Sequence, residues 1–293
     1  MMNKWLTGCL VVLTTSLMGS AFAIGKIGLI YATPIMLVAI RFLIAGGFMA
    51  IIVKYLRFAH PKKVSDWLKI ALIGLFQTAG VMGCIFVSLR TITSGQSSIL
   101  TFMNPLLVVI FGTLFLKMTY SWRQWIGVIV GFIGVFITLS TQLDFQIGTL
   151  WGFLSAISWA IGTLLIKKWG SPINTWVLTA YQMLFGGLIL LMGSFLLETP
   201  SFQITALSIT ILSWLVFMAS VVQFSVWFYL LQTGDPGKTS AFLFLAPFFG
   251  VLAGWLLLDE KIDWHVMFGG VCIFIGIFMV NWTPNSSLKI GEN

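Results

Sequence analysis

Charged residues are scarce in this sequence. Asp, Glu, Lys and Arg make up only 8% of its 293 residues, whereas 59% are hydrophobic and the mean hydropathy is +1.03. A soluble domain carries about 25% charged residues, because its surface must be hydrated. The composition therefore excludes an ordinary soluble domain and indicates a chain that lies in a lipid bilayer.

Acids, cysteines and histidines are also few. The chain has 8 Asp and Glu, 3 Cys and 2 His, and its acids all fall at the ends of apolar runs, in loops or in the tail. The cysteines, Cys9, Cys84 and Cys272, lack the spacing of metal ligands or of a disulfide framework. The sequence thus predicts no metal, no cofactor and no enzyme, and it lacks a buried carboxylate for a proton relay.

Long apolar runs occupy most of the chain. A spanning helix needs about 20 mostly apolar residues and must pair its own backbone polar groups, so such runs predict membrane-spanning helices. Loop signals divide the chain into ten runs, at 5–25, 33–54, 67–89, 95–116, 122–140, 147–168, 174–197, 207–231, 238–258 and 264–282. We therefore predict an all-α membrane protein with ten transmembrane helices.

Glycine, proline and tryptophan recur at an offset of 142 positions. The matching pairs are Gly95 and Gly237, Pro105 and Pro247, Gly112 and Gly254, Trp122 and Trp264, Gly127 and Gly269, and Gly134 and Gly276. Five spans is an odd number, so the second copy enters the membrane from the opposite side. The offset predicts two inverted five-helix repeats, residues 1–142 and 143–284, followed by a cytoplasmic tail at 285–293.

Basic residues concentrate on one side of the predicted spans. With the N-terminus in the cytoplasm, the inside positions are Lys4, Lys54, Arg57, Lys62, Lys63, Lys69, Lys117, Arg123, Lys167, Lys168, Lys238 and Lys289. Only Lys26, Arg90 and Lys261 fall outside. Because cytoplasmic loops carry the excess of Lys and Arg, both termini are predicted to be cytoplasmic, in the cell (inner or plasma) membrane.

Inverted repeats are typical of transporters, since exchanging the conformations of the two halves opens a central site to either side in turn. The site is expected where spans are interrupted at matching positions. Pro105 and Pro247 lie near the middle of the fourth and ninth spans, where each removes a helical hydrogen bond. They are candidate hinges, although packing kinks would give the same pattern.

Polar and aromatic residues deep in the spans are the candidate substrate ligands. They are Ser20, Gln77, Ser97, Thr101, Asn104, Trp159, Gln223 and Trp227. Spacings of three and four put Ser97, Thr101 and Asn104 on one helical face, which should point into the bundle because lipid would penalise it. The alternative for Ser97 and Thr101 is a hydrogen bond to their own backbone, and for the other deep polar residues it is helix-to-helix hydrogen bonding. Together they suit a small amphipathic molecule better than an inorganic ion.

Arg41 is the one charge well inside a predicted span. Burying it near the bilayer centre costs on the order of 3 kcal/mol. Two roles are open: pairing with a substrate carboxylate, or a structural role in which backbone carbonyls hold the guanidinium or it snorkels to the outer face. Its repeat equivalent lies near Tyr181 or Gln182, so only one half carries the charge.

Several short patterns occur together in one known family. They are Met18-Gly19-Ser20 in the first span, Arg41-Phe42-Leu43 in the second, the prolines at 105 and 247, and Glu260 followed by Gly269. Over residues 5–282 the chain resembles the drug/metabolite transporter superfamily, in particular its ten-span EamA-type members. The resemblance implies a bacterial inner-membrane carrier, often an exporter of amino acids or other small metabolites, with a central cavity walled by both halves. Met18 replaces the usual aromatic residue, and Lys117-Met118 replaces the acid usual after span four.

The sequence therefore favours a secondary transporter of small organic metabolites that works by alternating access. The expected partners are a small-molecule substrate and the lipid bilayer, not nucleic acid. The alternative is a non-transport membrane protein with a lipid-handling or assembly role. Glycine-rich faces at Gly127, Gly131 and Gly134, and at Gly250 and Gly254, permit close helix approach. They suit either contact between the halves or a homodimer.

Overall fold

The computed structural model describes residues 4–139, 146–233 and 242–281, and within these ranges the chain is helical without strands. The α-helices are α1 (Lys4–Gly28), α2 (Pro34–Tyr55), α3 (Val64–Gly74), α4 (Val81–Ser88), α5 (Ser94–Phe102), α6 (Asn104–Leu116), α7 (Trp122–Leu139), α8 (Ile147–Trp169), α9 (Thr175–Leu197), α10 (Ala206–Val216), α11 (Gln223–Thr233), α12 (Leu245–Leu258) and α13 (Trp264–Asn281). A first π segment, Leu75–Gly80, joins α3 to α4, a second, Phe217–Val222, joins α10 to α11, and a 3₁₀ turn, Phe242–Phe244, precedes α12.

Seven helical stretches in the described ranges are long and apolar enough to cross a membrane. They are Trp5–Gly28, Pro34–Tyr55, Val64–Ser88, Ser94–Leu116, Ile147–Trp169, Thr175–Leu197 and Ala206–Trp227. Three shorter apolar helices, Trp122–Ile137, Leu245–Leu258 and Trp264–Val280, coincide with the other predicted spans. The chain is thus a multi-pass helical membrane protein. The count of ten and the repeat stay predictions, and the boundary at 142/143 and the tail at 285–293 lie outside the described residues.

The helices of one half of the chain pack mainly against helices of the other half. The most extensive contacts are those of α7 with α13, α2 with α9, and α1 with α12. Glycine makes the α2–α9 contact close: a Cβ atom on Gly46 would lie 2.6 Å from the backbone nitrogen of Leu184, and one on Gly187 would lie 2.8 Å from that of Leu43. The halves are therefore interleaved rather than separate lobes.

The glycine-rich face of α7 lies against the same chain. A Cβ atom on Gly127 would lie 2.8 Å from the carbonyl oxygen of Gly276, and one on Gly134 would lie 2.5 Å from that of Gly269, while Gly131 faces Leu106. This face therefore joins the two halves. A homodimer stays a prediction, and it would need a surface other than this one.

The two π segments lie at the predicted repeat offset. Leu75 and Phe217 begin them and Gly80 and Val222 end them, so both ends are 142 positions apart. A π turn bonds residue i to i+5, which widens the helix locally and changes which carbonyls are available to side chains. The predicted third and eighth spans therefore carry the same irregularity near their centres.

Replacing Gly46 by alanine should destabilise the protein, because the new methyl group would meet the backbone of α9 rather than a movable side chain. We expect a loss of about 1–3 kcal/mol, the usual range for overpacking. The measurement is the thermal unfolding midpoint of the purified protein in detergent.

Gly47→Ala is the matched control, because a Cβ atom there meets nothing within 4 Å and alanine is the better helix former. It should leave the midpoint unchanged or raise it. Equal midpoints for the two variants would contradict the close α2–α9 approach.

Candidate functional site

A cavity of about 540 Å³ lies between helices of the bundle, and both halves of the chain contribute to its wall. Much of the wall is aromatic. The rings of Phe22 and Phe102 lie 5.9 Å apart and those of Phe102 and Trp159 lie 5.3 Å apart, and Phe86 and Trp227 also line the space. The volume falls within the range of small-molecule sites, about 300–1,000 Å³.

Most of the candidate ligands predicted from the sequence line this cavity. Those in the wall are Arg41, Gln77, Asn104, Trp159, Gln223 and Trp227, together with the hinge candidate Pro105. They come from five different helical elements that are distant in sequence. Their roles in binding stay predictions, but the structure does bring them to one space.

The three hydroxyl candidates lie outside the cavity wall and make other bonds. Ser20 donates to the carbonyl of Ser16 at 2.6 Å, within its own helix. Ser97 and Thr101 are fully buried, as their helical face predicted, and they pair with the hydroxyls of Ser88 at 2.6 Å and Ser155 at 2.7 Å. Ser20 thus bonds within its own helix, whereas the hydroxyls of Ser97 and Thr101 join helices instead of bonding to their own backbone.

The predicted fourth span is broken at the position of its proline. Helix α5 ends at Phe102 and α6 begins at Asn104, so Pro105 occupies the first turn of α6, where its missing N–H costs nothing. Pro247 likewise lies in the first turn of α12, just after the 3₁₀ turn, but outside the cavity wall. The movement of either proline as a hinge stays a prediction.

Arg41 and Gln182 each reach across to a π segment of the other half. Arg41 Nε donates to Ser220 Oγ at 2.9 Å, and Arg41 Nη2 donates to the carbonyl of Ala219 at 2.8 Å. In the other direction, Thr78 Oγ1 donates to Gln182 Oε1 at 3.0 Å. Thr78 and Ser220 are 142 positions apart and Arg41 and Gln182 are 141 apart, so the two bridges correspond to each other.

The charged residues of the cavity wall are both cations. Arg41 lies deep in the wall and Lys167 lies at one end of it, and the described lining contains no Asp or Glu. Within a low-dielectric space, an unbalanced positive charge attracts anions strongly. The electrostatics of the cavity therefore favour a ligand that carries negative charge.

One end of the bundle is tied together by a charged clamp, which we define as Lys26, Glu260 and Ser94. Lys26 Nζ donates to Glu260 Oε1 and to the carbonyl of Ile92, both at 2.9 Å. Glu260 also accepts from Ser94 N–H at 2.8 Å, Ser94 Oγ at 2.7 Å and Gly95 N–H at 3.3 Å. These bonds place a carboxylate on the N-terminus of α5, where the helix dipole favours it.

Two opposing effects act on the pKa of Glu260. Burial alone would raise it, but the hydrogen bonds from Ser94 and Lys26 and the charge of Lys26 outweigh burial and lower the pKa below its ordinary value of 4.5. The carboxylate is therefore ionised at neutral pH.

A second set of bonds closes the same end. Glu198 accepts from the N–H groups of Met36 at 2.8 Å and Ile35 at 3.3 Å, which caps α2. Thr33 N–H donates to the carbonyl of Ser201 at 3.0 Å, so the α1–α2 and α9–α10 loops are joined. Both halves therefore meet at this end.

The opposite end lacks an equivalent clamp among the described residues. Under the predicted repeat, Lys167 corresponds to Lys26, but Met118 stands 142 positions before Glu260, where a carboxylate would be needed. Lys167 and Met118 line the cavity, together with Tyr120, whereas the clamp residues do not. The cavity extends toward this end.

Sequence reasoning missed the pairing of Lys26 with Glu260, and it left Gln182, a polar residue deep in the seventh predicted span, out of the candidate ligands although it lines the cavity. The pair had a usable signal, because the two opposite charges flank spans on the same predicted side. Its partners are 234 residues apart, however, and nothing local in the sequence indicates which helices adjoin. Among the described residues no cluster of three or more His, Cys, Asp and Glu side chains could hold a metal ion.

Glu260→Gln should weaken the clamp. The ion pair with Lys26 would be lost and the amide NH2 could not accept the bonds that reach the second carboxylate oxygen, at a cost of about 1–2 kcal/mol and roughly 2–6 °C in the unfolding midpoint. Because folding lowers the pKa of Glu260, its contribution is complete above about pH 4.5 and is lost as the pH falls further. The midpoint difference between wild type and variant should be constant from pH 7 to about pH 5 and shrink below that.

Asp66→Asn provides the control, since it removes a partly exposed i,i+3 pair with Lys69 that contributes little. A Glu260→Gln effect no larger than that of the control would count against the clamp.

The sequence model of the EamA-like transporter family matches the chain twice, over residues 6–140 and 146–282. The Bacillus subtilis protein named uncharacterized transporter YvbV is 28% identical over 282 residues, covering 95% of this chain and 92% of the relative. The Escherichia coli protein named uncharacterized inner membrane transporter YedA is 26% identical over 265 residues, covering 87% and 84%.

A solved crystal structure shares the fold. It superposes with a TM-score of 0.67 at 17% sequence identity, over 95% of this chain and 98% of the other. The resemblance found in the sequence is thereby confirmed. With the family model matching both halves, the chain belongs to the EamA-like transporter family and is a membrane transporter.

Proposed function

We propose that this transporter is a secondary carrier that exports small organic metabolites, such as amino acids, across the cytoplasmic membrane by alternating access. The observation that carries the proposal is the central cavity, which extends toward one end of the bundle while the Lys26–Glu260 clamp ties the other. A carrier needs a site that is open to one side at a time. The direction of export follows from the family resemblance.

The proposal includes ten spans arranged as two inverted repeats, residues 1–142 and 143–284, with both termini in the cytoplasm. Support comes from the 142-residue offset of the π segments and from the corresponding bridges at Arg41 and Gln182. In this orientation the clamp lies on the outer side and the cavity extends toward the cytoplasm.

The site suits a metabolite with an apolar part and a few polar groups. Aromatic rings and aliphatic side chains form most of the wall, and the amides and the guanidinium are confined to a few positions. Such sites bind by burying apolar area and fix orientation with a small number of polar contacts. An alternative lipid-handling or assembly role has no comparable support, because the family consists of transporters.

Purified protein in liposomes should catalyse saturable uptake of a radiolabelled amino acid from a mixed panel, and unlabelled substrate inside the vesicles should stimulate it. Collapsing only the proton gradient should change the rate little, since the described cavity wall lacks a carboxylate. Overexpression should also raise the same compound in the culture medium. An absence of flux for every compound, with the protein folded in the vesicle membrane, would contradict the proposal.

Met118→Glu should slow transport. It puts a carboxylate at the repeat position of Glu260, where it can pair with Lys167 and tie the second end of the bundle. A partly exposed ion pair of this kind contributes about 0.2–1 kcal/mol, so we expect a reduction of roughly two- to fivefold in the counterflow rate.

Met118→Gln is the neutral control, and Lys167→Gln in the Met118→Glu background should restore the rate. If Met118→Gln slows transport as much as Met118→Glu, the effect is one of size and the alternating closure of the two ends loses its support.

A further inference from the structure

We infer that Arg41 is the carboxylate-binding residue of the cavity, so that the substrate is a carboxylate with an apolar or aromatic body. This inference rests on the proposed function and narrows its substrate class. It begins from a buried charge. Arg41 is only 2% exposed and lies in the cavity wall at the level of the second π segment.

Arg41 has donors to spare. A guanidinium offers five N–H groups, and the bonds to Ser220 Oγ and the Ala219 carbonyl account for two of them. Both of these acceptors are neutral. No carboxylate among the described residues pairs with Arg41.

An uncompensated buried charge is costly, and natural proteins keep one only where a partner or a function balances it. The described cavity wall contains no acid that could serve as this partner. A ligand anion in the cavity would supply the missing charge. Arg also matches the planar geometry of a carboxylate with two parallel hydrogen bonds.

Two further polar atoms in the cavity wall lack partners. Gln223 Nε2 and Gln77 Oε1 are both buried without a hydrogen bond, and both residues line the cavity. Gln223 lies four positions after Ala219, whose carbonyl accepts a hydrogen bond from Arg41. The amide donor of Gln223 therefore belongs to the same helical stretch. An unpartnered buried polar atom costs about 1–3 kcal/mol.

These atoms complement one kind of ligand. A carboxylate accepts hydrogen bonds from Arg41 and from Gln223 Nε2, while an N–H group of the same molecule donates to Gln77 Oε1. The aromatic rings of Phe102 and Trp159 then cover the apolar body. An α-amino acid with a large apolar side chain has all three features.

The repeat itself separates this role from a structural one. Gln182, at the position corresponding to Arg41, bridges to its π segment through Thr78 without any charge. A neutral amide therefore suffices for the bridge. The positive charge of Arg41 exceeds what the packing of the helices requires, and the cavity is where it can act.

The test uses 3-phenylpropionate and its uncharged isostere 3-phenylpropanamide as probes of the purified full-length protein. Their affinities are measured by calorimetry and by thermal shift. Wild type should bind the carboxylate at least about tenfold more tightly than the amide. Arg41→Gln should remove that difference, because a charge-assisted hydrogen bond is about twice as strong as a neutral one. Arg41→Lys should retain part of it.

Arg90→Gln makes the same substitution at an exposed position at the end of α4 and should leave both affinities unchanged. Equal affinity of wild type for the two probes, no binding of either, or full carboxylate affinity in Arg41→Gln would each overturn the inference. The wild-type comparison remains decisive even if Arg41→Gln fails to fold.

Amino acid counterflow separates this inference from the proposed function. Saturable flux with equal rates in wild type and Arg41→Gln would overturn the carboxylate role and leave the carrier function in place. Flux in wild type that falls at least about tenfold in Arg41→Gln and persists in Arg90→Gln would support both. No flux for any compound would contradict the carrier function itself.

Discussion

The requirement that no backbone polar group be left unpaired in hydrocarbon governs this structure. Two helices depart from regular α-geometry at the π segments, and each departure is met by side chains of the other half of the chain. Arg41 donates to the carbonyl of Ala219 in the second π segment, and Thr14 donates to the carbonyl of Gln223, the residue after that segment. In the first π segment, the carbonyl of Phe76 accepts from Ser158. The π segments are therefore the places where each half lacks regular helical hydrogen bonds, and they are also the places where the two halves are joined.

This reciprocity explains why the cavity lies where it does. A π segment in the wall of a bundle is tolerated when protein or a cavity, not lipid, surrounds it. Both segments face inward, and Gln77 from the first and Ala219 from the second line the same space. The side chains that satisfy the two segments thus surround the site as well, which places the polar chemistry at the interface of the halves rather than inside either one.

The sequence could predict the helices and several of the polar residues of the cavity wall, because hydropathy and the cost of polar groups in lipid act on each residue alone. Asn104 and Gln223 were found in this way. The π segments could not be predicted, since Leu75–Gly80 and Phe217–Val222 carry no composition that distinguishes them from regular helix. Ser97 and Thr101 satisfied the same polarity criterion as Asn104, and only the packing shows that their hydroxyls pair with other helices.

The asymmetry between the halves is as informative as their correspondence. Two copies with identical charges would close both ends equally, yet Glu260 has Met118 as its counterpart and Arg41 has Gln182. Among the described residues, the end of the bundle at Met118 lacks an equivalent clamp, and Arg41 places a single charge in a cavity that is otherwise neutral at its centre. Neither difference disturbs the bridges at Arg41 and Gln182 that join the halves. Methionine at 118 packs adaptably, and the Gln182 amide forms its hydrogen bond to a hydroxyl as the Arg41 guanidinium does. Under the proposed repeat and alternating access, duplication would supply the scaffold, while a few unmatched charges would determine which end closes and which ligands enter.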